Sequence, residues 1–260
     1  MDNQQHAVDS ASPAATVSSA ALVCRQYAPS DEALGLLAPG QSPWAFVDAL
    51  LAHERHEDAI EFVARWLDKR RAVWWGCLAV WCGTRHEPPP AVDAALAAAV
   101  AWVREPGEVT RRMAQDAAAG LGAAEPAGAL ARAVFWSGGN ISRPDLPAVE
   151  PRPDGTAQTV AALVRAVALR GKPQFVVDRR RQLLRIALEV VRGELPWDDG
   201  LPAELAVEPG TAPTTAPTTT PTTAATTAPT TAPTTTAATT AAAATGGGAT
   251  RTGSSPSMVP

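Results

Sequence analysis

The feature that most constrains this chain is a low-complexity segment near its C-terminus. Residues 211–245 contain only threonine, alanine and proline, 18, 12 and 5 of them. Such a segment has no large apolar side chains to bury, so it cannot offset the entropy that folding costs, and its spaced prolines favour extended conformations. The sequence therefore predicts a mostly disordered leader over residues 1–29, a helical domain over 30–200 and a disordered Thr/Ala/Pro-rich tail over 201–260.

The sequence before the tail is dominated by helical patterns. Ser42 and Pro43 mark a helix start, since the hydroxyl can cap free backbone N–H groups and proline suits the first helical position. The stretch 72–81, AVWWGCLAVW, is apolar on all sides and predicts a central buried helix. Its three tryptophans could line a ligand groove, but we expect them to pack in the core.

The remaining patterns support the same fold class. Turns rich in proline and glycine separate them, and no segment alternates polar and apolar residues as a half-buried strand does. The predicted fold is all-α with about eight helices. They could form either an irregular multi-helix bundle or a short array of stacked helix pairs.

Composition limits the compartment and the partners. The formal charge is -4, from 26 acidic and 22 basic residues, which argues against a nucleic-acid binder. The cysteines, Cys24, Cys77 and Cys82, have no C-x-x-C spacing and are expected to be buried thiols in a reducing compartment. The leader lacks the basic and apolar regions of a secretory signal, and no run of about 18 apolar residues predicts a membrane span. We therefore expect a cytoplasmic protein without a transmembrane helix.

Two segments resemble those of a known kind of protein. They are KRRAVWWGCLAVWCG, Lys69–Gly83, and AVFWSGGNISRPDLP, Ala133–Pro147. The chain resembles a family of uncharacterised, alanine-rich bacterial proteins in which a basic pair precedes a Trp-Trp helix and an aromatic-Trp-Ser-Gly-Gly turn follows a later helix. The resemblance covers about residues 42–197. It implies a helical fold and a bacterial origin, and it assigns no activity and no site residue.

Two groups of residues were candidates for catalysis or metal binding. The segment His53–Glu57, HERHE, places two histidines three apart, whereas the zincin motif requires a spacing of four. Cys82 and His86 lie four apart, but Gly83 interrupts the helix between them and no neighbouring Asn or Asp would orient the imidazole. The sequence therefore predicts no catalytic residue, no metal site and no cofactor.

Arginine supplies most of the positive charge and offers a candidate anion site. The neighbouring arginines are Arg111 and Arg112, and Arg179, Arg180, Arg181 and Arg185. Their guanidinium groups could bind phosphate or carboxylate if the fold gathered them, although a charged run on a helix is usually a solvated face paired with acids. The Gly-rich phosphate-binding motifs are absent. We therefore expect no binding of nucleic acid.

The longest segment without a helical period is 137–154, which is dense in Gly, Pro, Asn and Asp. Trp136 immediately precedes this segment and is separated by one serine from a permissive Gly-Gly pair, and Asn140 and Arg143 follow. These three residues are the predicted partner- or ligand-binding site. The alternative is an ordinary helix end with a packed indole.

These observations lead to one functional hypothesis and two alternatives. We expect a non-enzymatic helical adaptor or scaffold that binds a protein partner in a bacterial cytoplasm through helix faces and the 137–154 loop. One alternative is a small-molecule binding or hydrolytic domain with a pocket near Trp136. The other is an exported protein with a glycosylated Thr/Pro stalk, which would explain the tail but not the leader.

Overall fold

The protein is described by a computed structural model over residues 19–122, 124–143, 145–203 and 205. All regular elements in these ranges are helices. They are α1 (Ala20–Cys24), α2 (Asp31–Gly35), α3 (Pro43–Ala52), α4 (His56–Trp66), α5 (Lys69–Gly83), α6 (Pro90–Arg104), α7 (Glu108–Ala119), α8 (Pro126–Phe135), α9 (Gly155–Ala168), a one-turn 3₁₀-helix (Pro173–Phe175) and α10 (Val176–Arg192). Eight of the α-helices have ten or more residues, so the predicted all-α fold of about eight helices is confirmed. Across the described ranges, none of these helices combines the length and the apolar character that a bilayer crossing requires.

The helix starts follow local chemistry. The side chain of Ser42 caps α3 by accepting from Ala45 N at 3.2 Å, and Asp68 caps α5 by accepting from Arg71 N at 2.9 Å. Each side chain satisfies a backbone donor that has no partner within the first turn of the helix. Gly193 ends α10 with φ of 78°, a left-handed conformation that glycine adopts without a steric penalty. The start predicted at Ser42-Pro43 is confirmed.

Helix α5 is the centre of the domain. It packs against α6, α8, α9 and α10, and Trp74 and Trp75 on it are fully buried. The indole Nε1 of Trp74 donates to Leu195 O at 2.8 Å, and that of Trp75 donates to Leu183 O at 2.9 Å. Buried tryptophan needs such an acceptor for its only donor. The stretch 72–81 is therefore the predicted central helix, and these two tryptophans belong to the core.

The helices form an irregular bundle rather than a linear array. Helix α9 packs against α4, α5, α8 and α10, and α8 packs against α6 as well as α7. In a stacked array each helix pair would contact only the adjacent pairs. The contacts here extend across the whole domain, so the first of the two predicted arrangements describes the fold.

The packed region extends past the predicted limits of the helical domain. In α1, Ala20, Val23 and Cys24 are buried in the core, although residues up to 29 were assigned to the leader. One helical turn is too short to show a period, so the sequence pattern did not reveal it. At the other end, Pro202 O accepts from Trp81 Nε1 at 3.0 Å. Residues 1–18 and 206–260, which include the Thr/Ala/Pro-rich segment, lie outside the described residues.

A C-terminal strap, residues 193–203 and 205, crosses the surface of α5 and α6. The guanidinium of Arg70 stacks on the Trp197 ring at 4.4 Å from its centroid. Arg104 donates to Trp197 O and Asp198 O, both at 3.3 Å. Indole donors from α5 and the Arg104 guanidinium of α6 therefore bind the strap through its backbone carbonyls, and Arg70 of α5 adds the stacking contact with Trp197.

Gly76 makes the closest helix approach in the core and gives a first prediction. A Cβ at this position would lie 2.8 Å from Leu130 Cδ1 and 3.5 Å from Leu163 Cδ2, and both leucines are buried. We expect Gly76→Ala to destabilise the protein by up to about 2 kcal/mol, because overpacking costs about 1–3 kcal/mol and alanine's better helix propensity offsets about 1 kcal/mol. The free energy of unfolding in urea measures this change.

Gly35, the last residue of α2, is the matched control for this prediction. A Cβ there meets nothing within 4 Å. Gly35→Ala should therefore leave stability unchanged or raise it by up to about 1 kcal/mol. Equal effects of the two substitutions would contradict the close approach at Gly76.

Candidate functional site

The loop between α8 and α9, residues 136–154, is held from one side by a buried arginine of α7. The Arg111 side chain has a relative exposure of only 4%, and its Nη1 donates to Phe135 O at 2.7 Å. Its Nη2 donates to Asn140 O at 3.0 Å, and its Nε donates to Glu108 Oε2 at 2.8 Å. A guanidinium can make these bonds together because it carries five donors in one rigid plane.

Arg112 adds a second clamp on the same loop. Its Nη2 donates to Asn140 O at 2.6 Å and its Nε donates to Glu108 Oε1 at 2.9 Å. The hydrogen bonds from Arg111 and then Arg112 lower the pKa of the exposed Glu108 carboxyl below its ordinary value. Both arginines, which were candidates for an external anion site, therefore have internal partners.

Asn140 shapes the loop from within. Its Oδ1 accepts from Ser142 N at 2.8 Å and from Val149 N at 2.9 Å. Ile141 N donates to Val149 O at 2.9 Å, which joins the two limbs of the loop. Both carbonyl oxygens of Asn140 are therefore used in holding the loop's conformation.

Trp136 has a different environment from the other two predicted site residues. It is the C-cap of α8 and lines a cavity of about 320 Å³ together with Ile141, Pro151, Arg152, Gly155 and Gln158. The Arg152 guanidinium points to Asp154, at 3.0 Å. Arg143 is exposed, pairs with Asp145 at 2.7 Å and does not line the cavity. The structure thus does not bring Trp136, Asn140 and Arg143 into one site.

Exposed apolar side chains lie on the loop and on the helix that holds it. Val109 and Met113 of α7 are 74% and 52% exposed, and Leu146 and Val149 of the loop are each 50% exposed. Val109 and Met113 are four residues apart and so lie on one helix face. Helix α7 and the loop together are called the α7–loop surface below. The sequence analysis identified the loop but not this helix face, since single exposed apolar residues carry little signal in a sequence.

The histidine and cysteine candidates do not form a reactive group. His53 Nδ1 lies 2.9 Å from Ala49 O at the end of α3, and His56 is buried against α10. Burial raises the pKa of the Cys82 thiol to about 12, so the thiolate that a nucleophile requires is disfavoured. Within the ranges that the structure describes, no three His, Cys, Asp or Glu side chains are placed to hold a metal ion.

The arginines of α10 are mostly paired with acids, as a solvated helix face would be. Arg180 donates to Glu57, Arg181 to Glu54 at 3.0 Å, and Arg185 lies 3.8 Å from Glu189. Arg181 Nε also lies 3.2 Å from His56 Nε2, so the imidazole is a neutral acceptor in this contact. Arg179 differs, because its hydrogen bonds within the described part of the chain go to backbone carbonyls.

Comparison with known proteins identifies a family for this chain. The model of a family described as a family of unknown function, DUF6931, matches residues 46–191. No curated protein and no solved structure matches the chain. The matched range includes α7, the 136–154 loop and most of α10. The resemblance inferred from the sequence, to an uncharacterised family without an assigned activity, is confirmed.

The clamp on the loop gives a second prediction. Replacing Arg111 with lysine keeps the charge but leaves a single nitrogen that cannot reach Phe135 O, Asn140 O and Glu108 together. We expect Arg111→Lys to lower the free energy of unfolding by about 2–4 kcal/mol, since several buried charge-assisted hydrogen bonds are lost. Amide hydrogen exchange at Val149 should accelerate as the loop loosens.

Arg143→Lys is the control for Arg111→Lys, because the Arg143–Asp145 pair is exposed on both sides. An exposed pair contributes little, so we expect a change below about 0.5 kcal/mol. If Arg111→Lys were as mild as this control, the buried clamp would not hold the loop.

The buried His56 gives a third prediction, about pH. Burial first, and then the nearby positive charge of Arg181, lower the pKa of His56 below its ordinary value of 6.5. At pH below 6.5 the unfolded chain therefore takes up a proton that folded His56 resists, and stability falls as the pH falls. We expect His56→Gln, which keeps an acceptor for Arg181, to lose less stability than the wild type between pH 7 and pH 5.

Urea denaturation across this pH interval measures the effect. Arg181→Gln should reduce the pH dependence without abolishing it, because burial is the larger cause of the lowered pKa. Identical pH slopes for the wild type and His56→Gln would show that His56 does not contribute.

Proposed function

This chain belongs to a protein family of unknown function, DUF6931, and we propose that it is a non-enzymatic helical adaptor that binds a protein partner through the α7–loop surface. The proposal places the protein in a bacterial cytoplasm, in keeping with its thiol-bearing, arginine- and alanine-rich sequence.

The observation that carries the proposal is a loop that is held in place yet exposes apolar side chains. Arg111 and Arg112 fix the backbone of the loop at Asn140, and Leu146 and Val149 on the same loop are half exposed. A surface that is already ordered loses less conformational entropy when it binds. Exposed apolar side chains on such a surface are typical of interaction sites.

The charges of the loop indicate the kind of partner. Its two arginines are each paired with a neighbouring acid, Arg143 with Asp145 and Arg152 with Asp154. With Glu150, the loop has three acids and two arginines, and the resulting charge of -1 is too small to attract a strongly charged partner. An apolar face of a second protein, such as one side of an amphipathic helix, suits the α7–loop surface best.

The cavity beside Trp136 supports a second candidate function, the binding of a small apolar molecule. Its volume of about 320 Å³ lies at the lower end of ligand pockets. Its polar lining residues are Arg152, which is paired with Asp154, and Gln158. Neither is placed as an acid, base or nucleophile beside a partner of the kind that hydrolysis requires, so this candidate is binding rather than hydrolysis.

The experiment uses the tagged full-length chain as bait in cells of the source organism, followed by quantitative mass spectrometry. The test variant is Val109→Asp/Leu146→Asp, which places charges on the α7–loop surface. We expect the specific partner to bind at least tenfold more weakly, since burying an unpaired charge in an apolar contact is costly. Thermal unfolding of the purified variant confirms that it is folded.

The matched control is Leu169→Asp/Val177→Asp, at two exposed apolar positions outside the surface, 59% and 43% exposed. We expect this variant to recover the partner as the wild type does. Recovery of the same proteins by both variants would overturn the proposed surface, and recovery of no specific protein by the wild type would overturn the adaptor function.

A further inference from the structure

A second cavity lies on another part of the domain, between the ends of α5 and α9 and the start of α10. Its volume is about 320 Å³, and one part of its wall is apolar. Cys82, Val167 and Leu183 in this wall are buried, and Phe175 is half-buried beside them. A ligand can therefore place an apolar group against a preformed surface of the core.

The rest of the wall is strongly basic. Four cationic residues line the cavity, namely Arg85, Arg170, Lys172 and Arg179, and no carboxylate is among its lining residues. Arg170 is neutralised by Glu125, whose two carboxylate oxygens each lie 2.8 Å from Nη2. Among the described residues, none of the other three has a carboxylate partner.

Arg179 is fixed in place without being neutralised. Its Nε donates to Ala168 O at 2.7 Å and its Nη2 donates to Lys172 O at 3.1 Å, so it caps the end of α9. These acceptors carry no formal charge. Arg179 therefore contributes an oriented positive charge to the cavity, whereas the next arginines of α10, Arg180 and Arg181, are each paired with a glutamate.

The turn that brings Arg85 to the cavity is locally strained. Arg85 and His86 are consecutive residues with φ of 55° and 65°, in the left-handed region that non-glycine residues rarely adopt. Strained backbone conformations of this kind are found preferentially at functional sites.

We propose that this cavity binds a small organic anion, a molecule that joins one carboxylate, sulfonate or phosphate group to a compact apolar group. The anionic group would lie near Arg85, Lys172 and Arg179, and the apolar group would lie against Val167 and Leu183. The chain as a whole has a formal charge of -4. Around this one concave surface, by contrast, lie three cations that have no carboxylate partner among the described residues, so the local electrostatic potential is positive.

The apolar wall and the small size of the cavity argue against two other classes of anion as its ligand. An inorganic ion would leave the apolar wall uncovered, and a nucleic acid would need a basic surface much longer than one cavity. The site also lies outside the α7–loop surface, because the two share no residue. The cavity could therefore bind its ligand whether or not the adaptor proposal is correct.

The test measures binding of 8-anilinonaphthalene-1-sulfonate, a fluorescent apolar sulfonate, to the full-length protein. We expect saturable binding at one site that octanoate competes for and that octan-1-ol, the neutral analogue, does not. The double variant Arg85→Gln/Lys172→Gln should bind the probe at least tenfold more weakly. Because both side chains are exposed, this variant should keep the thermal stability of the wild type.

Two controls make the result specific to this cavity. Arg143→Gln/Arg152→Gln removes the arginine that lines the cavity beside Trp136, Arg152, and an exposed arginine of the same loop, and it should change the probe's Kd by less than twofold, which argues against binding in that other cavity. Lys172→Arg keeps the charge and should retain binding. Unchanged binding by Arg85→Gln/Lys172→Gln, or equal competition by octan-1-ol, would overturn the proposal and leave the partner-binding experiment unaffected.

Discussion

The burial of α5 is the constraint on which the rest of the structure depends. A helix that is apolar on every side must be covered on every side, and α6, α8, α9 and α10 provide that cover. Close approach is possible because Gly76 leaves space for Leu130 and Leu163. The tryptophans of α5 also carry indole donors, and these donate to backbone carbonyls of the strap at Leu195 and Pro202. Burial of this one helix therefore positions the C-terminal strap as well as the core.

Hydrogen bonds from arginine side chains also hold the fold together. Arg111 joins α7 to the loop, Arg104 binds the strap, and Arg179 caps α9, each by donating to backbone carbonyls. A planar guanidinium with several donors can join segments that are far apart in sequence, which the single nitrogen of lysine does less well. Most positive charge in this chain is thus used internally. Arg85 and Lys172 have no carboxylate partner among the residues that the structure describes, and such cations say more about a ligand than the number of arginines does.

The features that could be predicted from the sequence are those that depend on neighbouring residues and on helical periodicity. The apolar stretch 72–81 and the Ser42-Pro43 helix start depend on neighbouring residues, and both are present in the structure. Helix α1 was not predicted, because five residues show no period. Asn140, which is a predicted binding residue, also holds its own loop, a role that the sequence did not indicate because it depends on Val149 nine residues later. The basic cavity joins Arg85 to residues some ninety positions away, and no sequence motif records that proximity.

The two candidate sites lie at opposite ends of α9. Gly155 at its start lines the cavity beside Trp136, and Arg170, just after its end, lines the basic cavity. The 14 residues of α9 separate them by roughly 21 Å of helix. A ligand at one end could change affinity at the other only if α9 adopted two positions with different affinities. The described residues show a single position of α9, in which Leu163 packs close to Gly76, so we expect the two sites to bind independently.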